Sequence, residues 1–477
     1  MLSFLKKFKN YIQTPRGVFA VLFFVLSFAR LVYILFPQLM LWDASVYIGM
    51  GRYIATLGAS GLWEYFRPPL LPLIFSLGEI LGVGIILWAK IITFLASIIS
   101  LFLVYKISEK IRVGSGIWSM FILGISTLFF SFTNIPMTEV IGVFLSLLTI
   151  YIYVNRKDFI ILGIAVGLCF LLRFPYGLLL PIYGSIIIID QYINKNTWQR
   201  IIISFLKYFM GFVIVVSPYL ILNEVLYGSM FKPFIAGNEI INNFLWLYDH
   251  SLWFYLRILF IDNPLFLFSI TVFFYIKGKD VSSKIKIFVG LLVFWIVLFT
   301  GYFTFEIHKE SRYIIPVFPA LAILSGMGIF YIKNKLNYYF FYTLLGLLVI
   351  ATIYKVPFYI ASKEEVTTTR EFYEFLSGNE NPVVISPSPI VAVYTKAKVI
   401  PAYNSWNDFY VIYKKERLNA GFVLIDSCQL HVCSPGDEEG CDKKRKETLD
   451  EIKQKEFVVY DKTVNSCNFI IAKINKD

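Results

Sequence analysis

Apolar runs of about 20 residues recur along this 477-residue chain, and each is long enough to cross a ~30 Å hydrocarbon layer as a helix. The first is GVFAVLFFVLSFARLVYILFP, residues 17–37. Ten more are expected at 85–106, 115–135, 138–154, 158–173, 174–190, 201–222, 262–276, 285–304, 313–332 and 337–356. Only 16% of the residues are charged, where a soluble domain carries about a quarter, and the mean hydropathy is +0.68. The fold class expected is a polytopic α-helical membrane protein of about 11 transmembrane helices. The first run is too long for the core of a cleaved signal peptide, and Leu-Met-Leu-Trp follows it instead of a small-residue cleavage site. It reads as a retained anchor behind Lys6, Lys7, Lys9 and Arg16, with the amino terminus in the cytoplasm.

Short cytoplasmic loops are rich in Lys and Arg, which gives an independent check on orientation. With the chain entering from inside, the inner loops hold Lys106, Lys110 and Arg112; Arg156 and Lys157; Lys195 and Arg200; Lys277, Lys279, Lys284 and Lys286; and Lys333 and Lys335. Every expected inner loop is basic. Eleven spans then put the carboxyl terminus outside a multi-pass cell-membrane protein. From residue 357 onward Lys and Arg number 16 against 18 Asp and Glu, so the excess behind the net charge of +12 lies upstream, in the membrane section. That placement removes the need for a nucleic-acid partner.

Two regions are expected: a membrane domain over 1–356, with interfacial helices in an outer loop at 38–84, and an extracytoplasmic soluble α/β domain over 357–477. The tail alternates helix-like stretches (KEEVTTTREFYEFLS, DKKRKETLDEIKQ) with strand-like ones (PVVIS, GFVLID, FVVYD, NFIIAKI). It also holds four of the five cysteines, Cys428, Cys433, Cys441 and Cys467, while Cys169 falls in a span. Their spacing matches no familiar zinc pattern, even with His431 nearby. In an extracytoplasmic tail, disulfides are the expected use, with the pairing open. No metal site and no cofactor are expected.

The chemistry points to the outer loops, 38–84 and 223–261. Asp43 follows the first span directly, beside Trp42, in a loop apolar enough to lie on the membrane surface. An acid partly desolvated there suits a general base. Arg67 precedes Pro68-Pro69 at the start of an apolar helix and is placed to meet an anionic headgroup. Glu139 stands at the outer entrance of the fourth span, where a carboxylate is costly without a partner or water. Arg173 ends the fifth span, and FEIHKESRYIIPVFP places Glu306, His308, Lys309, Glu310 and Arg312 in the connection before the tenth. On this topology all of these share one side. Sugar transfer from a lipid phosphate needs such a set: a base for the acceptor hydroxyl and cations for the leaving phosphate.

At these residues the chain resembles the GT-C superfamily of integral-membrane glycosyltransferases. It is most similar to the branch of dolichyl-phosphate-mannose–protein mannosyltransferases and bacterial lipid A aminoarabinose transferases. Four features carry the resemblance in chain order: WDASVY with Asp43, FRPPLLP, MTEV with Glu139, and LLRFPYG with Arg173. HKESRY is similar to the His-Lys-Glu-x-Arg-Phe signature of mannosyltransferases that build lipid-linked glycans, with Tyr313 in place of Phe. The resemblance implies inverting transfer from a polyprenyl- or dolichyl-phosphate sugar at the outer face to a glycan, protein or lipid hydroxyl. Asp43 would be the base and Glu139 a second acid that positions the acceptor. Arg67, Arg173, His308, Lys309, Glu310 and Arg312 are the candidates for donor phosphate and substrate binding, with Tyr47 of the WDASVY motif. Ala44 stands where many protein mannosyltransferases have Glu, which bears on the acceptor and not on the base. Two alternatives remain. A metal-dependent oligosaccharyltransferase would carry a Trp-Trp-Asp-Tyr-Gly motif, to which SWNDFY is a poor match. A lipid or sugar transporter would place its ionisable residues near the midplane instead.

Overall fold

The structure, a computed structural model, describes residues 14–37, 40–155, 158–243, 250–278, 281–333, 335–354, 370–376, 382–402, 405–427, 436–464 and 467–476. Seven helices are long and apolar enough to cross a membrane: Pro15–Ile34, Ile85–Ile111, Thr138–Asn155, Phe174–Ile193, Trp198–Tyr227, Ser283–Phe305 and Ser311–Ile332. Two helix pairs would bring the number to nine, each counted as one bent span: Gly116–Ile125 with Thr127–Asn134, at 68°, and Phe254–Asp262 with Pro264–Ile276, at 101°. Phe159–Leu172 and Tyr338–Ile353 coincide with the remaining two expected runs but are shorter. At 1.5 Å per residue a 14-residue helix reaches only about 21 Å. The expected eleven is therefore not reached by helix length among the described residues.

The bends have local causes and a shared lock. Pro264 disfavours helical geometry in the residue before it, and Asn263 is extended, with φ −151° and ψ 95°. Ser126 breaks the other pair, with ψ 121°. Asn263 Nδ2 donates to Ile122 O at 2.9 Å and to Ser126 Oγ at 3.0 Å. Asp262 Oδ1 accepts from Thr127 Oγ1 at 2.7 Å and from the Leu128 amide at 2.6 Å. Each break thus satisfies polar groups that the other leaves exposed in an apolar surround, as buried polar groups require. Elsewhere small residues set the helix spacing: a Cβ at Gly163 would lie 1.9 Å from Tyr208 O, and one at Gly211 would lie 2.1 Å from Ile160 O. Helices in lipid gain their packing through such close approach.

The chain divides into two compact units. The first holds residues 1–36, 65–70 and 90–359, and the second holds 37–64, 71–89 and 360–477. The boundary expected at 356/357 is therefore crossed by much of the segment 38–84, expected as an outer loop, which groups with the tail. The reason is apolar: Val46, Met50 and Leu62 from the loop share one core cluster with Val384, Ala392, Leu424 and Ile471. The tail carries a five-stranded sheet: β1 Val383–Ser386, β2 Lys398–Pro401, β3 Phe422–Asp426, β4 Phe457–Val464 and β5 Cys467–Lys473, in the order β2-β1-β3-β5-β4. Strands β1, β2 and β3 are parallel, and β5 and β4 add antiparallel. A second cluster, around Trp406, Phe409, Val423 and Ile470, completes the core. The four expected strands are present; β2 and the helix Trp406–Glu416 were not anticipated. Cys441 and Cys467 are disulfide-bonded and Cys169 is a buried free thiol, while Cys428 and Cys433 lie outside the described residues.

One buried acid gives the tail a pH dependence. Glu456 is 5% exposed and accepts hydrogen bonds from Tyr413 Oη, Arg417 Nε and the Asn475 amide. Burial opposes its ionisation, but the bonds from Arg417, Tyr413 and the Asn475 N–H outweigh it and hold its pKa below the ordinary carboxylate value. A pKa depressed on folding stabilises the native state above the unfolded value of about 4.3, and that contribution is lost as pH falls through the folded value. The stability gap between wild type and Glu456→Gln should thus be constant at neutral pH and shrink below about pH 4. Thermal unfolding between pH 2.5 and 7 measures it; an unchanged gap across that range would place the effect elsewhere.

Candidate active site

Three segments of the helical unit bring the expected charges together. Glu139 lies in the first turn of the helix Thr138–Asn155, where the unpaired amides of a helix start favour an anion. Arg173 sits at the break between Phe159–Leu172 and the turn Phe174–Leu178, extended at φ −159° two residues ahead of Pro175. The HKESRY segment leaves Ser283–Phe305 at Glu306 and re-enters through the turn Ser311–Val317. Trp295 Nε1 ties that turn back by donating to Pro316 O at 3.0 Å.

The side chains form one network. Arg173 Nη1 donates to Glu139 Oε1 at 3.3 Å, and Arg312 Nη1 stands 3.8 Å from the same oxygen. Arg312 also grips Glu310 with its fork, Nε to Oε2 at 2.7 Å and Nη2 to Oε1 at 2.8 Å. His308 Nε2 and Tyr313 Oη both reach Glu310 Oε1, at 3.0 and 2.8 Å. The Tyr313 ring supports the Arg173 guanidinium at 4.6 Å, and the His308 ring stacks on it at 5.6 Å. The Glu139 side chain is 1% exposed, so its charge rests on the two arginines beside it. A bidentate arginine and a cation over an aromatic ring both fix direction as well as charge.

The other expected residues are placed differently. Lys309 is buried, and its Nζ donates to His250 O at 2.9 Å, joining the HKESRY segment to the 223–261 connection. Arg67 is half-buried with its guanidinium 5.8 Å from the Phe66 ring. Asp43 and Tyr47 belong to the other unit, on the helix Trp42–Ala55, where Asp43 is half-buried in the first turn and Tyr47 is buried. Among the described residues no group of three or more His, Cys, Asp or Glu is placed to hold a metal ion.

No protein-family model matches the chain, and no curated protein matches it either. Solved structures do. ArnT from Cupriavidus metallidurans, solved bound to undecaprenyl phosphate, is similar with a TM-score of 0.63 at 12% identity, covering 96% of this chain and 97% of that one. The Archaeoglobus fulgidus oligosaccharyltransferase AglB, in complex with an inhibitory peptide and a dolichol-phosphate, gives 0.58 at 13% identity, over 95% and 74% of the two chains. The mycobacterial arabinofuranosyltransferase AftD gives 0.51 at 11% identity, over 95% and 40%. All three are membrane glycosyltransferases of the GT-C superfamily. This chain has the GT-C fold. The GT-C resemblance expected from WDASVY, MTEV, LLRFPYG and HKESRY is thereby borne out, and at these identities the likeness is one of fold.

Two residues of this chain with the GT-C fold stand out that the motifs did not single out. Tyr313, noted only as a replacement for Phe, uses its hydroxyl on Glu310 and its ring under Arg173. Arg30 is fully buried in the first span, donating to Ser97 Oγ at 2.8 Å, Gly124 O at 2.9 Å and Leu26 O at 3.1 Å, with its guanidinium 5.3 Å from the Phe130 ring. The signal for Arg30 was in plain view, since a lone charge inside an apolar run marks a site that needs explaining. Beyond Leu26 O on its own helix, its acceptors Ser97 and Gly124 come from two later helices, which no local pattern reveals.

Proposed function

We propose that this protein is an inverting glycosyltransferase that moves a sugar from a polyprenyl-phosphate donor to an acceptor hydroxyl at the outer membrane face. The observation that carries the reading is the network of Arg173 and Arg312 around the buried Glu139. It is supported by a fold shared with ArnT, solved with undecaprenyl phosphate, and with AglB, solved with a dolichol-phosphate.

In the reaction Asp43 takes the proton of the acceptor hydroxyl as that oxygen attacks the anomeric carbon. The bond from that carbon to the phosphate oxygen breaks, and its electron pair leaves with the polyprenyl phosphate. The donor diester carries one negative charge and the departing monoester up to two, so cations at this point favour the transition state over the ground state. Arg173 engages Glu139 through Nη1, which leaves the rest of its planar fork for phosphate oxygens. Glu139 keeps both guanidinium groups in place before the donor arrives and positions the acceptor. Arg67 and Lys309 are the further phosphate candidates, and His308, Glu310 and, from the resemblance of WDASVY, Tyr47 are the further candidates for substrate binding. The resemblance of HKESRY makes mannose the first sugar to try.

The test is conversion by the wild-type protein in detergent, on a panel of labelled polyprenyl-phosphate sugars with lipid, glycan and peptide acceptors. An enzyme converts donor to product with no sealed compartment. Movement of label across sealed vesicles, with no product formed in detergent, would establish transport instead.

A further inference from the structure

The helix that carries Asp43 is buried along most of its length. Residues 44–52 are buried without interruption, while Trp42 and Asp43 at its start and Tyr53, Ile54 and Ala55 at its end are half-buried. A Cβ on Gly49 would lie 2.9 Å from Ala392 Cβ and from Leu62 Cγ, so the helix sits against the tail with no room between. Gly61, at φ +87°, then adds to the edge of the sheet: its amide donates to Ala397 O and its carbonyl accepts from the Val399 amide, both at 2.8 Å. A side chain at Gly61 would strike Gly49 O at 2.3 Å, and its positive φ also favours glycine.

Arg52 closes this arrangement. It is 8% exposed, and its Nη1 donates to three carbonyls at the end of the short helix Val391–Tyr394: Thr395 at 2.5 Å, Ala392 at 2.6 Å and Val393 at 3.2 Å. These are carbonyls that a helix end leaves without intrahelical partners, and a cation beside them is favoured. Glu79 stands 3.9 Å from Nη2, while Nε is buried with no hydrogen-bond partner among the described residues. A buried arginine with one donor unmet is a poor way to gain stability, since an apolar side chain of similar size often does as well. Three carbonyls converging on one nitrogen instead fix how far the helix slides and how it turns. Asp43 lies nine residues earlier on the same helix, about 13.5 Å along its axis.

We infer that Arg52 is a positioning residue through which the carboxy-terminal sheet domain sets the place of Asp43, so that this domain serves the reacting end of the first outer loop. The inference rests on the reading of Asp43 as the base. Reaction geometry tolerates little displacement, and a shift of about 1 Å can cost 100-fold in rate.

The test uses the full-length protein in detergent with the donor found from the panel, comparing wild type, Arg52→Lys, Arg52→Met, Asp43→Asn and the double variant Arg52→Met/Asp43→Asn. Arg52→Met should lower kcat at least tenfold, with KM for the donor and the Kd of undecaprenyl phosphate within about twofold. Arg52→Lys should recover part of the loss, because an ammonium still meets one or two of the carbonyls. Amides of residues 43–47 should exchange faster in both Arg52 variants, while those of β1 and β3 keep their protection. The double variant should be no slower than Asp43→Asn alone, as for two residues acting through one group. If the losses multiply, or if KM rises with kcat unchanged, Arg52 does not act through Asp43 and the inference falls while the base survives. If Asp43→Asn keeps full activity, the base assignment itself falls and takes the inference with it. Should Arg52→Met aggregate, Arg52→Lys decides by the same readouts: faster exchange at 43–47 with reduced kcat supports the inference, and unchanged values overturn it.

Discussion

Asp43→Asn should lower transfer from a polyprenyl-phosphate sugar at least ~100-fold, the lower end of what a lost general base costs. The substitution keeps the size and shape of the side chain, and an amide has no basic oxygen to take the acceptor proton. Asp43 stands half-buried in the first turn of a helix that is otherwise packed, so an isosteric change there disturbs little. Unfolding temperature and the affinity for undecaprenyl phosphate should therefore stay near wild type while kcat falls. Loss of rate together with loss of affinity would assign Asp43 to binding. Activity that survives intact would move the base to Glu139 or Glu310.

The second large effect is expected in the helical unit. Glu139→Gln removes the one charge that Arg173 and Arg312 share and leaves two guanidinium groups beside a neutral amide. Breaking one side of a buried ion pair costs on the order of 3–5 kcal/mol, far more than a surface pair. Thermal unfolding in detergent should show a large drop. If the two arginines receive phosphate, undecaprenyl phosphate should restore more stability in Glu139→Gln than it adds to wild type, because the anion replaces the missing charge. An equal shift in both proteins would place the phosphate elsewhere, and Arg67 and Lys309 would then be the residues to vary.

What could be read in the sequence was set by how local the physics is. A run of 20 apolar residues is a local fact, and each of the eleven runs falls on a helix or a bent helix pair. The charges of HKESRY and the Glu139 and Arg173 positions were equally plain, and the structure joins His308, Glu310, Arg312, Glu139 and Arg173 in one network. What Lys309 does was not legible, because its acceptor, His250 O, is 59 residues away. Nor were the two bends, whose partners Asp262 and Thr127 are 135 residues apart. The grouping of the first outer loop with the tail escaped for the same reason: composition changes along the chain, whereas cores form across it. Strand β2 has four residues and no alternation to betray it.

The bond from Arg52 to Ala392 spans 340 residues. A ribosome adding about 5–20 residues per second needs roughly 17–70 s to cover that distance. Through that interval the Asp43 helix has been made and its seat has not. Its apolar residues Val46, Ile48 and Met50, all fully buried in the finished protein, meanwhile need cover that the membrane surface is suited to give. A chain cut before residue 382 would keep every span and still leave that helix without its strands. Truncation variants that retain the whole membrane section should accordingly be judged by the order of residues 42–55, and not by whether they insert.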